Sequence, residues 1–465
     1  MEIDRALQAL REELGEPGFL SGPDIQERYF VDIVGRPGEP PLAVLRPAST
    51  EQVSRVLAIC HAAGLPVATQ GGRTGLVLGQ LPRAGEVVLS MERMTAIEAI
   101  DPDGAVATVQ AGVVLQAVQE RLDPMGLVFP LDLGARGSCT IGGNISTNAG
   151  GNRVIRYGMT RELVIGLEVV LADGTVLDGL RPVIKNNTGP DLKHLFIGSE
   201  GILGVVTRAM LRLVPKPAER TVALCACGEF AHVRALLRHA RLRLAGELTA
   251  FEVMWDSYYS RAVGLSGKAG AIAPGHAYYV LIEASGPDAG VTGNLERTLH
   301  EALAEGIVAD AVMAKSGAEN ARLWELRDMS VEVTRLLAPV VSFDVSVPIT
   351  DMQAFVSELD AAIHGIDARC DLIVYGHLGD GNLHLAVHQP PDRPDTADAI
   401  ARAVYGLVGG CRGSISAEHG IGLLKRAYLP YSRTPQEIAC MRALKDSLDP
   451  KHILNRDRVL EHRPG

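Results

Sequence analysis

An almost uncharged run of small residues constrains this fold more than any other feature of the sequence. Residues 134–151 are mainly Gly, Ser, Thr, Asn and Ala, and Arg136 is their one charged side chain. A solvated linker of this length would carry more charge and more proline. A backbone with small side chains can instead approach a large planar ligand and its pyrophosphate closely. The run therefore indicates a cofactor site, with a set of turns in a β-rich core as the alternative.

A second glycine-rich loop follows a predicted strand. The residues 65–69 predict a strand, and the chain then enters the loop 70–76, which reads Gln-Gly-Gly-Arg-Thr-Gly-Leu. A glycine loop after a strand is where backbone N–H groups can bind phosphate. The loop matches neither the dinucleotide-binding G-x-G-x-x-G pattern nor the G-K-[ST] of a Walker loop. Taken alone it is a weak indication of a phosphate site, because most such loops are tight turns.

Two histidines and a later Glu-His pair form a candidate metal site. The segment 375–384 is typical of a β-hairpin, because Asp380-Gly381 is a two-residue turn signal. A turn centred there places His377 directly opposite His384, and cross-strand partners have Cβ atoms roughly 4.5–5.5 Å apart. One divalent cation could then bind both imidazoles and an oxygen of Glu418, with a position left open for catalysis. His419 would be a general base close to that cation. Each part alone has a simpler explanation, a satisfied surface or core histidine or an ordinary turn.

The overall composition is that of a globular protein. The 465 residues are 47% hydrophobic and 22% charged, and this length suggests two or three domains. The net charge of -10 opposes strong nucleic-acid binding. Seven cysteines without a C-x-x-C motif argue against a disulfide framework or a thiolate zinc site. The N-terminus lacks the apolar core of a signal peptide, and no apolar run predicts a membrane span, so we expect a cytoplasmic protein.

Local signals divide the chain into two kinds of folding unit. A capping box that begins at Ser49 predicts a helix, and an Asp-Gly turn predicts a hairpin over 168–177. The stretch 213–217 contains two prolines and predicts a domain boundary. Beyond it, helices are predicted over 230–244, 295–303 and 351–363, and strands over 370–375 and 383–387. This order favours an α+β domain with an antiparallel sheet.

The motifs together resemble the FAD-linked oxidase/dehydrogenase family with the vanillyl-alcohol oxidase and p-cresol methylhydroxylase fold. Within this family the sequence is most similar to D-2-hydroxyglutarate and D-lactate dehydrogenases and to the D subunit of glycolate oxidase. The resemblance covers roughly residues 46–460. Its most specific motifs are at 130–134, 142–151, 187–192, 198–204, 376–384 and 417–422.

The resemblance implies an α+β fold with non-covalently bound FAD. An N-terminal helical segment (1–36) would precede a two-subdomain FAD-binding domain (37–215). An antiparallel-sheet cap domain (216–425) would carry the metal site, and the segment 426–465 would return to the FAD domain. Some members tether FAD through a histidine in the first glycine loop, where this chain has Arg73 and Thr74. The implied FAD-binding residues are Gly71, Gly72, Arg73, Thr74, Gly75, Leu76, Gly79, Pro130, Leu131, Gly134, Ser138, Gly142, Gly143, Asn148, Gly150, Gly151, Tyr157, Gly158, Glu200, Gly201, Ile202, Val206 and Asn455.

The same resemblance assigns roles in the second domain. His377, His384 and Glu418 would bind a divalent metal, usually zinc, with manganese as the alternative, and His419 would be the base. The substrate-binding residues would be Arg327, which grips a carboxylate, Ser342 and Asn382. Two departures matter: Ser342 stands where many hydroxyglutarate-type members have Lys, and Ala386 stands where many have Asn. Both remove polar substrate contacts, which puts a dicarboxylate substrate in doubt and leaves room for a smaller or more apolar 2-hydroxy acid.

The resulting hypothesis is an FAD- and metal-dependent dehydrogenase. It would oxidise a D-2-hydroxy acid of the D-lactate/D-2-hydroxyglutarate class to the 2-keto acid by hydride transfer to flavin N5. An electron-transfer flavoprotein or a quinone would accept the electrons, and a homodimer is compatible with the resemblance. The alternatives are an oxidase that passes electrons to O2 and a non-catalytic FAD-binding protein.

Overall fold

The computed structural model of the protein describes residues 2–462, which form two compact units. The first unit contains the chain up to Gly151, the segment Gly158–Pro215 and the chain from Glu418 onward. The second unit contains Asn152–Tyr157 and Lys216–Ala417. Among the described residues, no helix is long and apolar enough to cross a membrane.

The first unit is built on three sheets. A four-stranded sheet has the order Phe19–Leu20, Val44–Leu45, Val87–Ser90, Val67–Gln70, antiparallel at its first pair and parallel at the other two. A five-stranded antiparallel sheet has the order Ile97–Asp101, Val106–Gln110, Val205–Arg212, Val164–Val170, Val176–Asp178. Leu127–Val128 and Val214–Pro215 form a third, two-stranded sheet. The predicted Asp-Gly hairpin is confirmed, since Val170 pairs with Val176 across that turn.

The second helix of the first unit begins and ends where its sequence predicts. Ser49 accepts a hydrogen bond from the backbone N–H of Gln52 and so caps the second helix, which Gly64 ends. The α-helices are Glu2–Gly18, Thr50–Ala63, Leu115–Leu122, Ile141–Thr147, Thr160–Leu163, Lys193–Phe196 and Pro435–Leu448. Short 3-10 helices cover Gly22–Asp24, Glu27–Tyr29, Asp123–Met125 and Arg426–Tyr431.

The second unit is a seven-stranded antiparallel sheet with helices. The strand order is Asp310–Met313, Glu219–Cys227, Tyr278–Gly286, Leu248–Trp255, Leu372–His377, Asn382–His388, Val340–Ser346. Its helices are Val154–Tyr157, Phe230–Arg243, Asp256–Ser266, Gly290–Ala304, Gly317–Asp328, Ser330–Arg335, Met352–Ile366 and Thr396–Gly410. The α+β class and the antiparallel sheet predicted from sequence are confirmed.

The register of the histidine hairpin differs from the prediction. Tyr375, and not His377, lies directly opposite His384. The loop between the strands has four residues, 378–381, with hydrogen bonds from Asp380 N–H to the His377 carbonyl and from Gly381 N–H to the Leu378 carbonyl. Gly381, with its left-handed φ of +88°, is thus the last residue of a four-residue turn. Because this turn is two residues longer than predicted, the strand pairing is shifted and His377 is a diagonal neighbour of His384.

The segment after Ala417 belongs to the first unit, whereas the sequence placed it in the domain 216–425. The backbone N–H groups of Ile421 and Gly422 donate to Glu200, and that of Leu423 donates to the carbonyl of Val77. These hydrogen bonds hold the segment against the first unit, a placement that no local sequence signal predicts.

Candidate functional site

The first unit contains a cavity of about 370 Å³. Such a volume is within the usual range of ligand sites. The predicted FAD-binding residues that line it are Gly71, Gly72, Arg73, Thr74, Gly75, Leu76, Gly79, Gly134, Gly142, Gly143, Gly150, Glu200, Gly201, Val206 and Asn455. Both glycine clusters thus meet at one cavity.

The first glycine loop offers a row of backbone donors to this cavity. Within residues 2–462, none of the backbone N–H groups of 72–76 donates a hydrogen bond to another protein group. A Cβ on Gly72 would lie 2.2 Å from the Ser138 carbonyl oxygen, so only glycine allows this loop to approach the second cluster so closely. Backbone N–H groups away from water require an acceptor, which a pyrophosphate supplies.

Eight of the predicted FAD-binding residues do not line the cavity: Pro130, Leu131, Ser138, Asn148, Gly151, Tyr157, Gly158 and Ile202. Several of them support the backbone instead. Asn148 ends the helix Ile141–Thr147 in a left-handed conformation, and its side chain accepts from Arg161 N–H. A Cβ on Gly151 would meet the Asp132 carbonyl oxygen, and Tyr157 belongs to the second unit.

The cavity also has lining residues that the sequence analysis missed. Ser146 and Thr147 lie one turn after Gly142 and Gly143 on the same helix, and all four line the cavity. Helical spacing could have identified them, because residues four apart share a helix face. The others are Thr69, Gln70, Val77, Gln80, Met91, Ala111, Leu133, Ala135, Cys139, Thr140, Asn144, Ala149, Gly204 and Val205.

Glu418 and His419 also line this cavity. The loop that carries them is fixed by Glu200, whose Oε1 accepts from Ile421 N–H at 2.7 Å and whose Oε2 accepts from Gly422 N–H at 2.8 Å. Burial raises the pKa of the Glu200 carboxyl, against the opposing effects of these two N–H groups and of Lys425. The Glu200 side chain therefore contacts the loop through both of its oxygens.

In the second unit, the two predicted metal-binding histidines lie on one face of the sheet. The ring centroids of His377 and His384 are 5.2 Å apart. His377 is buried, and its Nδ1 lies 2.7 Å from Oε1 of the buried Glu252, its direct cross-strand neighbour. An ionised carboxylate only accepts hydrogen bonds, so Nδ1 carries the proton and the lone pair is on Nε2. This is the tautomer that a metal-binding histidine requires.

A second buried carboxylate faces His384. Asp344 is the direct cross-strand partner of His384, and its Oδ1 lies 3.8 Å from the His384 Nδ1. Asn382, predicted to bind substrate, donates to the same Oδ1 at 2.8 Å. The Ala417 N–H donates to the Asp344 carbonyl at 3.4 Å, so the chain reaches this strand one residue before Glu418.

Arg327 is buried close to the same histidines. Its Nε donates to Glu252 Oε2 at 2.8 Å, and its guanidinium carbon lies 4.8 Å from the centroid of the Tyr375 ring. Among the residues that the structure describes, neither terminal Nη group has a hydrogen-bond partner. Burial alone would raise the pKa of Glu252, but His377 and Arg327 together hold it below its ordinary value.

The two residues that depart from the family pattern, Ser342 and Ala386, lie on the face of the sheet that bears His384. Ser342 and Ala386 are direct cross-strand partners, two residues along their strands from the Asp344–His384 pair. Ser342 is exposed and Ala386 is buried.

Two family models match the chain. The model described as FAD linked oxidases, C-terminal domain, matches residues 216–459, and the model described as FAD binding domain matches residues 41–179. The chain belongs to the FAD-linked oxidase family. The predicted cofactor FAD is thereby confirmed, and this member of the family is an FAD-dependent oxidoreductase.

Proteins similar to this member of the family align with nearly the whole of its chain. Mitochondrial D-2-hydroxyglutarate dehydrogenase of Bos taurus is 42% identical over 418 residues, which are 90% of this chain and 76% of that protein. D-2-hydroxyglutarate dehydrogenase of Xanthomonas citri pv. viticola is 39% identical over 466 residues, 99% of this chain and 96% of that protein. The solved structure of p-cresol methylhydroxylase with substrate bound aligns with a TM-score of 0.77 at 17% identity, over 99% of this chain and 97% of that chain. The predicted fold family is confirmed.

The residues of this flavoprotein fit both groups that the sequence analysis assigned. The open N–H groups of 72–76 and the small residues of the second cluster would hold the FAD pyrophosphate and allow close approach of the ring system. His377 has the tautomer that binds a cation, and imidazole nitrogens with carboxylate oxygens suit zinc and manganese.

Proposed function

We propose that this chain is an FAD- and metal-dependent dehydrogenase that oxidises a D-2-hydroxy acid to the corresponding 2-keto acid. One observation carries the proposal: a single carboxylate, Glu252, holds both Arg327 and His377. A 2-hydroxy acid has a carboxylate and a hydroxyl on neighbouring carbons. A guanidinium suits the first group, and a histidine-bound cation suits the second. The sequence similarity to D-2-hydroxyglutarate dehydrogenases supports the same class of substrate.

His377, His384 and Glu418 are the proposed metal ligands. The proximity of the two imidazoles and the Glu252–His377 hydrogen bond support the histidines. Glu418 is supported by chain continuity, since Ala417 is hydrogen-bonded to the carbonyl of Asp344, the cross-strand partner of His384.

Each protein group has a separate task in the proposed reaction. When bound, FAD supplies the acceptor for two electrons and a divalent cation supplies a Lewis acid. The open Nη groups of Arg327 hold the substrate carboxylate and so fix the position of C2. His419 accepts the hydroxyl proton on a ring nitrogen, while the C2 hydrogen leaves with its electron pair and the C–O bond becomes a carbonyl.

Replacing His419 with Ala tests the proposed base. We expect the variant to keep its FAD, because His419 is one of many residues that line the cavity. The rate constant of anaerobic flavin reduction by the D-2-hydroxy acid should fall by about 10²- to 10⁴-fold, the usual contribution of a general base. Stopped-flow absorbance of the flavin measures it, with the exposed His300→Ala as the control. Reduction of His419→Ala at the wild-type rate would show that His419 is not the base.

A further inference from the structure

Glu252 contacts both Arg327 and His377, the residues proposed to hold the substrate carboxylate and the cation. It is in the middle of the strand Leu248–Trp255 and only 1% exposed. Its direct partner on the next strand is His377, so the antiparallel register places both side chains on the same face. The helix Gly317–Asp328 brings Arg327 to the same carboxylate.

Both oxygens of Glu252 are engaged, and each has a different kind of partner. Oε1 is 2.7 Å from the His377 Nδ1, and Oε2 is 2.8 Å from the Arg327 Nε. The first contact sets the tautomer and the ring orientation of His377. The second uses one donor of the guanidinium and leaves its two Nη groups for another planar anion.

We infer that Glu252 is a positioning residue that couples cation binding to the binding of the substrate carboxylate. The inference rests on the proposed function and gives Glu252 a role of its own, which can fail while the proposed reaction stands. Loss of the carboxylate would disturb the His377 tautomer and the Arg327 orientation together, although Glu252 itself touches neither cation nor substrate.

The substitution Glu252→Gln separates this role from simple packing, because glutamine has the same shape but one donor and one acceptor end. If its NH2 group faces His377, it donates to Nδ1 and drives the proton to Nε2, where a cation can no longer bind. If its NH2 group faces Arg327, two donors meet and the guanidinium must move. Either orientation of the amide therefore damages one of the two contacts.

Glu283 provides a matched control. It is a fully buried carboxylate on the neighbouring strand Tyr278–Gly286, and it accepts hydrogen bonds from Arg220 and from the Trp324 indole. Trp324 is on the same helix as Arg327. Glu283→Gln thus removes an equally buried charge from the same sheet and leaves the candidate metal ligands with their own partners.

The test compares the purified, FAD-containing wild type, Glu252→Gln and Glu283→Gln. Zn²⁺ affinity is measured by competition with a chromophoric chelator, and KM and kcat with the better substrate of D-lactate and D-2-hydroxyglutarate. In Glu252→Gln we expect Zn²⁺ affinity to fall about 10- to 100-fold if the amide NH2 faces His377, or KM to rise about tenfold if it faces Arg327. FAD content should stay at the wild-type level in both variants, and the Zn²⁺ affinity and KM of Glu283→Gln should stay within about twofold of wild type.

Two results would overturn the inference, and only the second would also reject the metal site of the proposed function. Wild-type Zn²⁺ affinity and KM in Glu252→Gln would reject the role of Glu252 alone. A wild type that binds no Zn²⁺ would reject the metal site of the proposed function and the inference with it. If Glu252→Gln does not fold, Glu252→Asp replaces it: the charge is kept, but the shorter side chain cannot reach both partners, so at least one of the two losses is expected.

Discussion

At the scale of single residues, the pair Ser342 and Ala386 is the best candidate for substrate selection. The two residues are direct cross-strand partners on the face that bears His384. Both are smaller than the residues that many hydroxyglutarate-type sequences have at these places. A cation at this place would bind a second substrate carboxylate more tightly than the neutral Ser342 hydroxyl can. We therefore expect the pair to favour a monocarboxylate such as D-lactate.

The substitution Ser342→Lys should reverse this preference. Because Ser342 is exposed, a lysine can be accommodated there without burying its charge. A new charge-assisted hydrogen bond is worth about 1.5–3 kcal/mol, so we expect the ratio of kcat/KM for D-2-hydroxyglutarate to that for D-lactate to rise about tenfold or more. Steady-state kinetics with both acids measure the ratio, and Ser342→Met controls for side-chain length. An equal ratio in Lys and Met variants would remove Ser342 from substrate selection.

At the scale of elements, the loop that carries Glu418 and His419 depends on one buried carboxylate. Glu200 accepts hydrogen bonds from the N–H groups of both Ile421 and Gly422, and its own carbonyl accepts from the Asn455 side chain. The loop is thus linked to the strand region before Val205–Arg212 and to the C-terminal segment. The positions of Glu418 and His419 therefore depend on contacts with residues that are distant in the sequence.

Glu200→Gln should loosen this loop without unfolding the protein. An amide can accept only one of the two N–H groups, and an unmatched buried donor costs about 1–3 kcal/mol. We expect faster amide hydrogen exchange over 420–423 and a fall in kcat. Glu437→Gln, which weakens an exposed capping box by a similar loss, is the control and should keep the wild-type kcat. Unchanged exchange over 420–423 in Glu200→Gln would contradict the proposed role of the carboxylate.

The histidine hairpin shows what local sequence can and cannot predict. The strands and the turn were predicted from alternation and from the Asp-Gly dipeptide. The register was wrong by two residues, because the turn contains Leu378 and Gly379 as well. A Cβ on Gly379 would lie 2.5 Å from Ile155, so its close approach to another segment helps to define the longer turn. Such packing is absent from the hairpin's own sequence.

At the scale of the whole molecule, the motifs predicted the family and FAD, but long-range partners came only from the structure. Glu252 and His377 are 125 residues apart in sequence, and Glu252 lies in an apolar strand without any local signal of function. Glu200 was predicted as an FAD-binding residue, yet its carboxylate contacts residues 221 and 222 positions away. Sheet register and chain return bring these groups together, and neither can be derived from local patterns.

In the proposed reaction this flavoprotein oxidises a D-2-hydroxy acid with the help of a divalent cation. Anaerobic flavin reduction tests it most directly, with the D- and L-forms of lactate and 2-hydroxyglutarate, before and after treatment with a chelator. We predict rapid bleaching of the flavin by a D-acid, loss of bleaching after chelation and recovery with Zn²⁺ or Mn²⁺, while FAD stays bound. Bleaching that survives complete removal of the metal would contradict the proposed role of the cation. No bleaching by any of the four acids would contradict the proposed oxidation of a 2-hydroxy acid.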